Sequence, residues 1–379
     1  MKYFKNPDTP CYVPRFSVLL PAYRDLGSVF ETIERLFSEE RDVEFVVGAD
    51  LWSEGGLRRL EELSRRIPVK ITASRERRGK VRALNDMIRM AEGEILVFID
   101  SDVRIVSRGL LEAVGRALER GEFGGGRIQV RGETILERFV RIDYLGINAA
   151  IRTQELSGVS FGVNGAFMFA KREVVERIGG FLPVLTEDSD FGYRASEAGF
   201  RPVFAGDAVV ETSAPKTLKE WFRQRVRWAI GGVQAARIHE KFHWGHPLES
   251  ALQATAMFPF WIPFLVLLLA PGALASRLLA VLASLASTQS QIIAVLAWLG
   301  WIGTIFAHPA VSVIGFAFTF LWWEYWKREL KFEGINPLDY VGYYFLYAPL
   351  WAAVLLGAIA YVAVCGPEIE SCCGWKVKG

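Results

Sequence analysis

Four short apolar runs punctuate the first hundred positions: "FSVLLPAY" (16–23), "VEFVVGAD" (43–50), "VKITAS" (69–74) and "EILVFIDSD" (94–102). Each is rich in Val, Ile, Leu and Phe over four to eight residues, the signature of a strand buried on both faces. Between them, "LGSVFETIERLF", "GLRRLEELSRRI" and "KVRALNDMIRMA" repeat their apolar residues three and four apart and predict amphipathic helices. Alternation of this kind predicts an α/β domain with a mainly parallel sheet. "GEFGGGR" (121–127) lacks the Lys-Ser/Thr ending of a phosphate loop and reads as a flexible turn.

The pattern changes near residue 251. Residues 1–250 carry 38 of the 44 Lys and Arg and 36 of the 42 Asp and Glu, whereas Arg277 is the only charged residue from 257 to 308. Apolar stretches at 252–270, 289–307, 309–326 and 340–364 approach or reach the roughly 20 residues that cross a bilayer as helix. That count predicts four spans, or five if the shorter 273–287 is included. With four, the basic "KRELK" (327–331) falls outside, against the positive-inside rule; with five it falls inside. The same segment also reads as an interfacial helix with Trp322, Trp323 and Trp326 at headgroup level. The expected organisation is therefore a catalytic domain at 1–215, an amphipathic interfacial region at 216–250 and a transmembrane domain at 251–379. No apolar run precedes Phe16, so the first domain is expected on the cytosolic side of the cell membrane.

Composition excludes some classes. A net charge of +2 over 379 residues gives no support for nucleic-acid binding. Cys11, Cys365, Cys372 and Cys373 form neither a CxxC pair nor a zinc-ligand spacing and read as incidental thiols. Arg outnumbers Lys 32 to 12 and Asn plus Gln number only 12, a balance compatible with growth at high temperature.

The candidate chemistry is acidic. In open α/β sheets ligands bind beyond the carboxyl ends of the strands. Asp50 ends the second predicted strand, and Asp100 and Asp102 follow the fourth. Asp commonly caps helices, which is the ordinary alternative for each. Two carboxylates one residue apart also suit Mg²⁺ or Mn²⁺, hard cations that take oxygen ligands and share them with substrate phosphates. Glu187, Asp188 and Asp190 cluster in "GGFLPVLTEDSDFGYRASEAGFR" just ahead of a predicted helix, where Asp190 reads as a helix-start acid. Lys80 opens a helix after Gly79, a place where backbone N–H groups and an ammonium meet phosphate. On a helix predicted from about 217 to 242, Gln224, Arg227 and Trp228 share one face and Arg225 points elsewhere. A second stripe of Leu218, Trp221, Phe222, Ala229 and Val233 suits a membrane interface.

Taken in order, "SVLLPAYRD", "VVGAD", "RRGKVRALND", "FIDSD", "TEDSD" and "QRVRW" resemble the family 2 glycosyltransferases of the membrane-embedded cellulose synthase and hyaluronan synthase branch, from about Phe16 to Gly232. The resemblance implies a GT-A type nucleotide-sugar-binding domain with a mainly parallel sheet, followed by an interfacial helix and C-terminal transmembrane helices. It implies a nucleotide-sugar donor, a divalent metal and inversion at the anomeric carbon. Residue by residue, it assigns Asp188 as catalytic base and Asp100 and Asp102 to the metal and diphosphate. Pro21, Tyr23, Asp50, Lys80 and Arg227 fall to the donor, and Glu187, Gln224 and Trp228 to the acceptor. Gly48 and Ala49 stand where many relatives carry a second acid, which leaves base selectivity open.

The resemblance is greatest to compact archaeal mannosyltransferases, which implies GDP-mannose over a UDP-sugar and a lipid-linked or glycan acceptor reached among membrane lipids. A processive polysaccharide synthase using a UDP-sugar is the enzymatic alternative, although no F-x-V-T-x-K-like gating loop is present. The alternative from another class is a catalytically silent membrane protein that binds nucleotide sugars.

Overall fold

The computed structural model describes residues 14–23, 27–51, 53–259 and 309–365. The described residues group into two compact units, 14–131 with 151–213, and 132–150 with 214–259 and 309–365.

The first unit opens with β1 (Phe16–Tyr23), α1 (Gly27–Glu39), β2 (Val43–Asp50), α2 (Glu54–Leu63), β3 (Val69–Ser74), α3 (Lys80–Met90) and β4 (Ile95–Ile99). These are the elements the apolar runs predicted. β5 (Arg104–Ile105), α4 (Leu110–Ala117) and β6 (Phe123–Arg131) follow. α5 (Ile135–Ser157) contributes its residues up to Ala150 to the second unit; β7 (Phe167–Lys171), α6 (Arg172–Ile178), α7 (Glu187–Glu197) and β8 (Pro202–Ser213) complete the first.

One sheet runs in the order β3-β2-β1-β4-β7-β6-β8-β5. β1 pairs in parallel with β2 and β4, β2 with β3, and β6 with β8, while β7 runs antiparallel to both β4 and β6. The sheet is thus mixed: parallel through the first four strands, with β7 and the short β5 reversed. The order turns back between β1 and β4, which opens a crevice at their carboxyl ends. Leu19, Val46, Leu84, Met87, Leu96 and Phe98 form the core between sheet and helices.

The glycine run at 121–127 is not a turn. Gly124, Gly125 and Gly126 lie inside β6, where a Cβ on Gly124 would strike the Val203 carbonyl and one on Gly126 the Phe167 ring. The glycines let β6 approach its neighbours closely, which is one physical use of glycine within a strand.

In the second unit, α8 (Leu218–Ile238) is followed by α9 (Glu240–Gly245) and α10 (Pro247–Met257). Its start is fixed by Thr217, whose side chain accepts from the Glu220 N–H at 3.2 Å. Further along are α11 (Pro309–Glu329), α12 (Pro337–Gly342), a π-helical turn (Tyr343–Tyr347) and α13 (Ala348–Cys365). α12 begins with a capping box in which Asn336 and Asp339 each satisfy the other's backbone.

Among the described residues one helical run, Pro337–Val364, is long and apolar enough to cross a bilayer, with 28 residues at a mean hydropathy of 1.9, which by itself is weak evidence. The expected span at 309–326 forms the helix α11 but does not pass the same test. Expected segments at 273–287 and 289–307, and most of 252–270, lie outside the described residues. The headgroup placement of the α11 tryptophans is corrected: Trp323 and Trp326 are buried, and Trp323 stacks on Tyr340 with ring centroids 5.4 Å apart. The stripe on α8 also divides, since Trp221 and Ala229 are buried while Leu218 and Phe222 are exposed.

Candidate active site

Two strand ends and one helix start in the first unit deliver the acids. β4 stops at Ile99, and the next residue, Asp100, donates its N–H to the Ala166 carbonyl at 3.1 Å. That bond fastens the Asp100-Ser101-Asp102 turn to the loop entering β7. Ser28, at the start of α1, bonds the Ser101 carbonyl and holds the turn from the other side.

The loop entering β7 in turn fixes Asp188. Gly165 donates its N–H to Asp188 Oδ2 at 2.6 Å, and Ser189 donates to Oδ1 at 2.8 Å. A Cβ on Gly165 would stand 2.9 Å from that same Oδ2, so the close approach requires glycine. Asp188 sits at the start of α7, where the helix N-terminus favours negative charge.

The segment before α7 is anchored at several points. Asn85 of α3 donates to the Phe181 carbonyl and accepts the Phe181 N–H, both at 2.9 Å. Phe181 packs edge-on to Phe98 and stacks on Phe191. Arg194 donates to the carbonyls of Ile178 and Gly180 at 2.7 and 2.8 Å and to Asp190 Oδ2 at 2.7 Å. Asp190 is therefore more than a helix-start acid: it is buried and orients the arginine that ties this loop down.

Lys80, the first residue of α3, joins the acids. Its Nζ lies 2.8 Å from Asp100 Oδ1, 2.9 Å from Oδ2 and 3.2 Å from Glu187 Oε1. Burial works against the Lys80 charge, but Asp100, Glu187 and Asp188 outweigh it and hold the ammonium above its ordinary value. Burial pushes Asp100 up to about 6, against the pull of Lys80, with Asp102 and Glu187 adding to the rise. Asp188 is likewise raised, by burial first and then by Glu187, opposed by Lys80 and by the Gly165 and Ser189 N–H groups.

Asp50 ends β2, buried, with its carboxylate already engaged. Oδ2 accepts the N–H groups of Arg78 and Gly79 at 2.8 and 3.1 Å, and Oδ1 accepts Arg78 Nε at 2.9 Å. The Arg78 guanidinium also reaches Asp86 Oδ2 at 2.8 Å. Asp50 thereby fixes the turn that presents Lys80. Pro21 and Tyr23 line the end of β1 opposite Gly48 and Asp50, and the exposed Tyr23 ring lies 5.0 Å from the Arg77 guanidinium carbon. Gly48 packs closely on α3, since a Cβ there would stand 2.9 Å from Met87 Sδ.

The structure thus brings together Lys80, Asp100, Glu187 and Asp188, with Asp102 exposed one residue beyond Ser101. Gln224, Arg227 and Trp228 belong to the second unit, half-buried on α8. Arg225 departs from the expected picture. It is fully buried, pairs with Asp143 of α5 at 2.8 Å, and sets its guanidinium carbon 4.2 Å from the centre of the Trp228 ring. Sequence reasoning missed Gly165, Asn85, Arg78 and Arg225; for Arg225 the adjacency to Gln224 was the only local signal.

Asp100 and Asp102 are the candidate metal ligands. Among the described residues no group of three or more His, Cys, Asp or Glu is arranged to hold a cation alone. The exposed Asp102 and the Lys80-paired Asp100 offer hard oxygen donors beside an open surface, which suit a cation that completes its shell with water and substrate phosphate, as Mg²⁺ does, so these residues fit the group the resemblance implies.

A family model described as "Glycosyltransferase like family 2" matches residues 14–231. The poly-beta-1,6-N-acetyl-D-glucosamine synthase of Staphylococcus epidermidis is 25% identical over 226 residues, 58% of this chain and 55% of that protein. The probable glycosyltransferase YdaM of Bacillus subtilis is 25% identical over 242 residues, with the same two coverages. The chain spans about half the length of the curated relatives it matches. Among solved structures, a mannosyltransferase from Pyrobaculum calidifontis in complex with GDP-Man and Mn²⁺ has a TM-score of 0.48 at 22% identity, covering 83% of this chain and 90% of the other.

Proposed function

The chain belongs to glycosyltransferase family 2 and has that family's GT-A type α/β domain, and on that premise we propose that it is an inverting hexosyltransferase with Asp188 as its base. The donor is a nucleotide sugar, with GDP-mannose favoured, and the acceptor is a lipid-linked glycan at the cytosolic face. The observation that carries the proposal is the fixing of Asp188 by the Gly165 and Ser189 N–H groups, beside Lys80 and Asp100 at the β1/β4 crevice.

In inverting transfer an acceptor hydroxyl attacks the anomeric carbon. The new C–O bond forms as the bond to the nucleoside diphosphate breaks, and the hydroxyl proton passes to a carboxylate. Asp188 suits that role because burial and Glu187 raise its basicity while two N–H groups fix its oxygens. Lys80 stands as a cation where the diphosphate's charge develops. Asp100 and Asp102 would hold Mn²⁺ or Mg²⁺, and the metal supplies Lewis-acid stabilisation of the leaving diphosphate. The resemblance assigns Arg227 to the diphosphate and Gln224 and Trp228, with Glu187, to the acceptor.

Exposed Leu218, Phe222, Trp244 and Leu248 and the apolar run Pro337–Val364 support attachment to a membrane. Multiple membrane spans are part of the proposal and draw on the apolar stretches at 252–307. The mannose preference draws on the likeness to compact archaeal enzymes and on the arginine-rich composition. A second reading, a processive polysaccharide synthase using a UDP-sugar, is favoured by the match to poly-beta-1,6-N-acetyl-D-glucosamine synthase.

The test incubates the full chain with Mn²⁺, labelled GDP-mannose or UDP-sugars, and prenyl-linked saccharide acceptors, then sizes the products. The proposal expects a lipid-linked product longer by one or a few sugars, made from GDP-mannose. A long water-soluble polymer made without lipid acceptor would favour the synthase, and absence of any donor turnover would favour a silent binding protein.

A further inference from the structure

Within the second unit, Asp143 is a carboxylate enclosed by donors. Tyr343 donates to Oδ1 at 2.6 Å, Tyr347 donates to Oδ2, the Trp351 side chain adds a hydrogen bond, and Arg225 lies 2.8 Å from Oδ2. Trp221 Nε1 donates to the Tyr347 hydroxyl at 2.6 Å and extends the chain of bonds back to α8. Arg225 is fully buried and Asp143 is 6% exposed. The donors come from α8, the π-helical turn and α13, so one acid of α5 gathers three segments far apart in sequence.

A buried ion pair is poor evidence of stability, because the cost of desolvating both charges rivals their attraction. What it does give is a defined register, since the charges tolerate one arrangement and penalise others. On α8, Trp221, Arg225 and Trp228 follow at i, i+4 and i+7 and share one face. One Arg225 guanidinium nitrogen is ion-paired with Asp143 Oδ2 at 2.8 Å, and the guanidinium carbon lies over the Trp228 ring at 4.2 Å, with the Trp351 ring centre at 5.6 Å. The geometry is that of a clamp: Asp143 sets the guanidinium, and the guanidinium sets the indole. π-Helical turns frequently mark functional sites, and here the turn supplies both tyrosines that bond Asp143.

We propose that Arg225, oriented by Asp143 and Tyr343, is a positioning residue that fixes the Trp228 indole as a rigid wall for the acceptor sugar. The inference rests on the assignment of Trp228 to the acceptor made above. Lysine in place of Arg225 keeps the charge but has no planar guanidinium to lie over an indole while pairing with a carboxylate.

The test uses the full chain and the variants Arg225→Lys, Arg225→Met, Asp143→Asn and Trp228→Phe. The near-ultraviolet circular dichroism of each is compared with that of Trp228→Phe to isolate the Trp228 band. Transfer to an octyl glycoside acceptor gives KM and kcat for acceptor and donor separately. The expected result for Arg225→Lys is loss of most of the Trp228 band and a rise of about fivefold to tenfold in acceptor KM, with donor KM unchanged. Should Asp143→Asn fail to fold, the two Arg225 variants decide the matter. A parental Trp228 band and acceptor KM in Arg225→Lys would overturn the proposal. Trp228→Phe separates the two layers: parental acceptor KM in that variant overturns the acceptor role of Trp228, while the clamp is still judged by the band.

Discussion

Replacing Gly165 with alanine perturbs the proposed base without touching it chemically. A Cβ at this position would lie 2.9 Å from Asp188 Oδ2 and 3.1 Å from the Asp188 Cβ, tighter than Cβ atoms ordinarily approach, so the carboxylate must withdraw by a few tenths of an ångström. Withdrawal stretches the 2.6 Å bond from the Gly165 N–H, one of two N–H groups that favour the charged form. A hydrogen bond to a charged group is worth about 1.5–3 kcal/mol, and losing part of it raises the Asp188 pKa further. The sign follows from the species stabilised: the N–H favours the carboxylate, so weakening it favours the protonated acid. The acid limb of the pH–rate profile should therefore move to higher pH. Displacement of the base should also lower the limiting rate by about tenfold to a hundredfold. Nucleotide affinity should stay within about twofold, because 1.4 kcal/mol is a factor of ten and no donor contact is removed. The assay is single-turnover transfer from labelled donor across pH 5 to 9, paired with calorimetry of nucleotide binding. A variant with the parental rate and the parental acid limb would refute the assignment of Gly165 as the group that fixes Asp188.

Other consequences follow from the same cluster. Asp100 is pushed up to about 6, so metal-dependent nucleotide binding should weaken as pH falls from 7 to 5, when the carboxylate takes up a proton; calorimetry with Mn²⁺ that shows no such decline would contradict a ligand role. Asp102→Ala should reduce nucleotide affinity in the presence of Mn²⁺ but hardly in its absence, and equal metal dependence in variant and parent would remove Asp102 from the metal site. Arg227→Lys should impair transfer although the charge is kept, because the planar guanidinium can grip a diphosphate at two points; full activity in the lysine variant would leave only a point charge.

The strands β1 to β4 were legible because a buried parallel strand is a local pattern, an unbroken apolar run that no partner is needed to recognise. The strand-end acids were legible for the same reason. β6 was misread because three glycines in a row signal a turn locally, while their use is set by Val203 and Phe167, distant in sequence. The fixing of Asp188 was half visible: the acid stands in the sequence, but Gly165 gives no sign of donating to it until β4 and β7 pair and bring the loop alongside Asp100. The role of Arg225 was not legible, since its partner, Asp143, lies on another helix and the tyrosines that complete the site come from beyond residue 340. The tryptophans of α11 failed similarly, because aromatic residues flanking an apolar run fit an interface or a packed core equally well. Local periodicity names elements; the pairing of remote polar groups needs the fold.

The central claim is that Asp188 takes the acceptor proton, and Asp188→Asn tests it most directly. The amide keeps nearly the same shape but cannot accept a proton, whereas the proposed donor contacts of Lys80, Asp100 and Asp102 are left in place. Transfer should fall by about 10²-fold or more, while nucleotide affinity with Mn²⁺ changes by no more than about threefold. Transfer at the parental rate by a folded Asp188→Asn protein that binds donor normally would contradict the account.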